Sequence, residues 1–200
     1  MKKKVFLILI LAVVIVLVVV LVRRDKKVEA PKDALYLNWN SYETEQYSLQ
    51  YPKDFSFSEE YHYQALGPGK GITGIAFTIP VILTKNTNLS KDTKLSIETI
   101  PNKEDCTPAD FLSAPTVKEP LTENGIQILV AEQSEGAAGN RYDETVYVYP
   151  KCVAVRYFIH STNIGNYTPG TVQEFDRAAL LQAFTLIRAS FQIHEKEAAI

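Results

Sequence analysis

Histidine, cysteine and tryptophan are scarce in this 200-residue chain, with three His, two Cys and one Trp. His62, His160 and His194 lie far apart, so none forms a metal-binding pair at i, i+2 or i, i+4 spacing. The G-x-S-x-G, H-E-x-x-H and P-loop patterns are missing, and with them the local signatures of α/β hydrolases, zinc peptidases and P-loop NTPases. Without a C-x-x-C there is no local mark of dithiol redox chemistry or of a structural zinc site. No metal and no cofactor is expected. Internal repeats and low-complexity tracts are absent too.

Two cysteines allow one intramolecular bridge, Cys106 to Cys152, closing a loop of 47 residues. In the chain-entropy model that closure stabilises by about 4 kcal/mol. The alternative is a pair of buried thiols serving as small core residues. Basic charge is also lacking once the amino end is set aside. Residues 1–28 hold seven of the 21 Lys and Arg and one of the 23 Asp and Glu, leaving 14 and 22 and a net charge of −8 for residues 29–200. A domain of that sign has no basic surplus with which to displace counterions from phosphates, which argues against nucleic acid as a partner.

What the amino end has is a membrane signature. Val5 to Val22 is apolar throughout, without a polar, Gly or Pro position, between Lys2-Lys3-Lys4 and Arg23-Arg24-Asp25-Lys26-Lys27. As a helix it would span roughly 27 Å, close to the hydrocarbon thickness of a bilayer. A cleaved signal would have a shorter apolar core and small residues after it, whereas this run ends in charge. The expectation is an uncleaved anchor over 5–22, with 1–4 as a cytoplasmic flank and 23–40 as a charged and polar stalk. Residues 41–193 would form the domain and 194–200 a tail. Flanking cations are nearly balanced, but long C-terminal domains translocate largely regardless of charge, and a disulfide favours the outside. The domain is therefore expected to be extracytoplasmic.

Within it, period-two alternation marks strands at Tyr47 to Tyr51, Phe55 to Phe57, Ile75 to Ile79 and Lys94 to Ile100, followed by Gly125 to Gln133, Tyr142 to Tyr149 and Cys152 to His160. Thr107-Pro108-Ala109-Asp110 has the cap and first-turn proline of a short helix reaching Leu112. Thr171 with Glu174 reads as a capping box opening a helix to about Ser190, with Phe175, Ala179, Leu180, Ala183, Phe184, Ile187 and Phe191 on one broad face. About seven strands, a C-terminal meander and one long helix predict an α+β fold, with an antiparallel sheet carrying the helix on one face.

Candidate sites are few. Asn86, Asn88, Ser90 and Asp92 place oxygen-bearing side chains at every second position, as in the first half of a calcium loop, and form a candidate weak cation site. Lys91 and Ile97 stand where that loop needs Gly and a bidentate Glu. Gly67-Pro68-Gly69-Lys70-Gly71 precedes a strand rather than a helix and reads as a turn. Tyr142, Tyr147, Tyr149 and Tyr157 could form a stacking platform for sugar or peptide, or simply fill a half-buried sheet.

The order of Tyr51 to Phe55 (Tyr-Pro-Lys-Asp-Phe), Phe77-Thr78-Ile79-Pro80, Thr87-Asn88-Leu89-Ser90 with Asp92, and Phe175-Asp176 with Leu180, Phe184, Ile187 and Phe191 resembles uncharacterised bacterial envelope proteins carrying one amino-terminal anchor. Its first strand and last helix are similar to the PsbP-like α/β sandwich. The resemblance implies a fold and an envelope location and carries no catalytic residue onto this chain. The function expected is thus a membrane-anchored, non-enzymatic binding or structural module of the cell envelope, facing a protein, peptide or polymer. The alternative is an envelope hydrolase whose site assembles only in three dimensions.

Overall fold

The computed structural model of the chain describes residues 39–194. The apolar run at 5–22 and most of the expected stalk and tail lie outside the described residues, among which no helix is long and apolar enough to cross a membrane.

Ten strands are present among the described residues, in two antiparallel sheets. The smaller joins β1 (Trp39–Glu43), β2 (Tyr47–Pro52) and β10 (Gln192–Ile193), with β2 central. The larger is built from β3 (Ser56–Tyr63), β4 (Ile72–Thr78), β5 (Lys94–Thr99), β6 (Thr116–Glu123), β7 (Ile126–Ala137), β8 (Asn140–Tyr149) and β9 (Val153–Thr162), in the order β3-β4-β5-β9-β8-β7-β6. A single turn, α1 (Val81–Thr84), follows β4, and α2 (Arg177–Ala189) precedes β10.

All seven expected strands form, and β7-β8-β9 make the expected meander. The β6-β7 and β7-β8 hairpins are tight because the chain can enter the left-handed region where they turn. Asn124 and Gly125 link β6 to β7 with φ 51° and 79°, and Ala138 and Gly139 link β7 to β8 with φ 51° and 80°. Two consecutive positive φ values match the right-handed twist of the flanking strands. Strand β1 begins at Trp39, two residues before the expected start of the domain at 41. Strand β6 has almost no buried residue and contains Pro120, which is tolerated because β6 is an edge.

Helix α2 begins at Arg177 rather than Thr171. The backbone of the intervening segment is bonded elsewhere. Gln173 N–H donates to Asn86 O, Gln173 O accepts from Asn88 N–H, and Phe175 N–H donates to Asn88 Oδ1. Asp176 then caps the helix, its carboxylate accepting from Ala179 N–H at 2.9 Å. The expected helix at Thr107 to Leu112 is a shorter 3-10 turn, Pro108–Asp110, with Thr107 N–H donating to Asp110.

One face of the large sheet, with Ile75, Phe77, Leu95, Ile97, Val155, Tyr157 and Ile159, is buried beneath β2 and α2. Leu180, Phe184, Ile187 and Phe191 recur at helical spacing and meet Tyr47, Tyr51 and Phe55 there. The opposite face is covered over half its length by the segment 100–115, where Phe111 and Leu112 pack on Tyr63, Ile72, Ala131, Val146, Val148 and Ala154. Cys106 and Cys152 are bonded, with Cα atoms 5.2 Å apart, and fasten that segment to the turn before β9. The other half of this face is not covered.

Candidate functional site

Cross-strand pairing sets the uncovered half. Lys94 opposes Phe158, and Tyr142 opposes His160, so all four side chains share one face beside Tyr61. Tyr142 stacks on His160 with ring centroids 4.4 Å apart and lies 6.2 Å from Phe158. The Lys94 ammonium sits between two rings, 5.1 Å from Phe158 and 5.6 Å from Tyr61. Each of these side chains is only partly buried, so the rings, with Lys94 between Tyr61 and Phe158, form a half-exposed strip. Burial and the nearby Glu98 carboxyl push the Tyr61 hydroxyl well above its usual range, so it stays a neutral donor.

Polar groups fix the end of the strip. His160 Nδ1 lies 2.8 Å and 3.0 Å from the two oxygens of Asp92, and Nε2 lies 3.1 Å from Asn140 Oδ1, which also accepts from the Thr162 hydroxyl. The His160 backbone is held as well, its N–H donating to Thr93 Oγ1 and its oxygen accepting from Ser90 N–H. Partial burial raises the affinity of Asp92 for a proton, but hydrogen bonds from Ser90 and His160 outweigh it and hold the carboxyl below its usual range. A carboxylate orienting a histidine resembles two members of a hydrolytic triad. The third position is taken by the Asn140 amide oxygen, where nucleophilic catalysis needs a hydroxyl or thiol.

Beneath segment 100–115 the same face carries a buried polar cluster. Arg156 donates to Glu98 through Nε and Nη2, at 2.7 and 2.8 Å, and to Glu144 through Nη1. Tyr63 lies under the guanidinium, 3.5 Å from ring centroid to carbon, and its hydroxyl donates to Glu144. Arg156 Nη2 also donates to Phe111 O, and Gln133 links Glu144 to Ala114 N–H. Burial alone would lower the Arg156 pKa, but the two carboxyl groups raise it. The cluster anchors the cover to the sheet and is closed to solvent.

Of the candidate cation residues, Ser90 hydrogen-bonds Asp92. Asn88 donates to Thr162 O and accepts from Phe175 N–H, so both ends of its amide serve the backbone, while Asp92 is engaged by His160. Asn86 takes a left-handed turn conformation, φ 57°. Among the described residues no group of three or more His, Cys, Asp and Glu could hold a metal. The three histidines occupy separate places, His62 exposed on β3 and His194 beside Ser48. Of the tyrosine group, only Tyr142 is on the uncovered face. Tyr149 and Tyr157 are buried on the opposite one, with Tyr147 partly buried 4.9 Å from Tyr157.

No family model matches the chain, and no curated protein matches it. A crystal structure of a protein from Bacteroides thetaiotaomicron VPI-5482 is similar over 80% of this chain and 50% of that one, at 9% identity and a TM-score of 0.41. The chain spans about half the length of that protein.

Proposed function

We propose that the protein is a membrane-tethered, extracytoplasmic binding module whose ligand lies along Tyr61, Phe158 and Tyr142. The observation that carries this reading is the half-exposed ring strip, braced by Lys94, His160 and Asp92, which crosses the sheet from β3 to β8. Rings held by a rigid sheet offer flat apolar contact at little entropic cost, and the polar groups beside them offer hydrogen bonds. That combination suits an envelope polymer whose sugar rings present both an apolar face and hydroxyls. Tethering follows from the apolar run at 5–22 and its cationic flanks.

The test is cosedimentation of the detergent-solubilised full chain with purified cell-wall glycan. Retention should be lost in Tyr142→Ala and Phe158→Ala with the melting temperature little changed. Equal retention of wild type and both variants, or none by wild type, rejects the reading. Protease added to intact cells should remove the domain, and protection until lysis would reject the topology.

The second reading, an envelope hydrolase, is favoured by the Asp92–His160 pair alone. It requires a nucleophile to displace Asn140 from Nε2, and Asn140→Ser would then raise rather than lower any ester hydrolysis.

A further inference from the structure

Three consecutive large aliphatic residues on α1 face solvent, Val81 at 66% exposure, Ile82 at 69% and Leu83 at 36%. This turn is firmly held. Leu83 N–H donates to Pro80 O, Lys85 N–H to Val81 O, the Thr84 hydroxyl to Val81 O and the Thr87 hydroxyl to Leu83 O. The next residues are pinned in turn by the backbone pairing of Asn86 and Asn88 with Gln173. An apolar turn displayed on fixed backbone is an interaction surface in search of an apolar partner.

The path of the chain says which partner. Trp39 pairs with Pro52, a tight turn closed by Phe55 N–H to Pro52 O leads to Ser56, Ser56 pairs with Thr78, and Val81 follows three residues later. The far end of the small sheet, at Gln46 and His194, is bound instead to Lys151 beside the disulfide. Trp39 and α1 therefore share the end of the domain opposite Cys106–Cys152. Sixteen residues, 23–38, separate Trp39 from the apolar run at 5–22. Even fully extended they reach only about 55 Å.

We infer that Val81, Ile82 and Leu83 form a knuckle that inserts into the surface of a phospholipid bilayer and seats the domain against the membrane that tethers it. The inference rests on the tethered reading above. A tether raises the effective concentration of the knuckle at the surface, so an insertion too weak to bind alone suffices. Ile82, the most exposed of the three, should reach deepest. Seating by this end leaves the disulfide end outermost.

The test uses the full chain in vesicles of phosphatidylcholine, with and without bromine on the acyl chains. Ile82→Trp is compared with Val117→Trp, an exposed position on β6, and the spectrum of the parent chain is subtracted because Trp39 also emits. The expected result is flotation of all three proteins, with emission of the tryptophan at 82 shifted to the blue and quenched by brominated lipid. The tryptophan at 117 should stay red-shifted and unquenched. Flotation without quenching at 82 overturns the knuckle and leaves the tether standing. A blue shift at 82 without quenching would mean that a second copy covers the turn, and likewise overturns it. Failure to float overturns the tether and the knuckle with it.

Discussion

Arg156 grips Glu98 through two parallel hydrogen bonds, 2.7 and 2.8 Å, with both side chains fully buried. Such a pair is costly to desolvate, and breaking it by removing one partner is costlier than replacing it whole. Arg156→Met would leave the Glu98 and Glu144 carboxyl groups buried without their cation. It should destabilise the domain by about 3–5 kcal/mol. Replacing all three together by Met and Leu should recover most of that loss. Denaturant unfolding of the full chain in detergent measures both, and a single variant as stable as wild type would contradict the expectation.

Removing the disulfide by Cys106→Ser with Cys152→Ser should cost about 2–4 kcal/mol. The effect should be local before it is global, because the bridge fastens segment 100–115, whose Phe111 and Leu112 pack on the sheet. Amide exchange should therefore quicken first at 100–115 and leave β8 and β9 protected. Uniform quickening across the sheet would show that the cover and the sheet open as one unit.

The Arg156 cluster also shows where the sequence is legible and where it is not. In β5, Ser96 and Glu98 alternate with Leu95 and Ile97, which identifies the strand but reads as a solvated polar face. A separate segment, 100–115, covers that face, and nothing in the period of β5 announces it. The His160–Asp92 contact spans 68 positions and leaves no local trace. Seven strands were legible because each alternates. Strand β1 is short, β6 is exposed on both faces with Pro120 inside it, and β10 has two residues. The helix starts later than the Thr171–Glu174 capping pattern indicates because Asn88, far away in sequence, takes the backbone groups that the helix would need.

Acid should weaken the domain through Asp143. Burial alone would raise its pKa, but Ser134, Arg141 and Arg177 donate to it and hold the carboxyl below its usual range. A depressed folded-state pKa contributes stability above the unfolded value, near 3.9, that is lost as pH falls through the folded one. Asp143→Asn should cost about 1–2 kcal/mol at neutral pH. It should also flatten the fall in stability below about pH 4. Asp92 and Asp110 are depressed too, so part of the fall should remain. A variant with the wild-type acid profile would remove Asp143 from the account.

Gly74 pairs with Glu98 on β5, and a Cβ there would stand 2.1 Å from Ile97 O, an atom of the backbone with no room to yield. Gly74→Ala should part β4 from β5 and cost about 1–3 kcal/mol, the range for overpacking. The loss should appear as a lower denaturation midpoint with unchanged slope. No shift in midpoint would mean that the strands separate freely at this point.

The opposite change, a gain, is expected at Ala138. It occupies the first position of the two-residue turn between β7 and β8 at φ 51°, where a Cβ is disfavoured and alanine has no side chain to compensate. Asparagine and glycine accept that conformation. Ala138→Asn, which gives the turn the Asn-Gly pair already present at Asn124-Gly125, should stabilise by about 0.4–1 kcal/mol. Gly139 must be kept, because its φ of 80° strains a residue with a Cβ. The gain should be read in the unfolding rate and midpoint together. A decrease in stability would mean that residue 138 is held by contacts rather than by its turn.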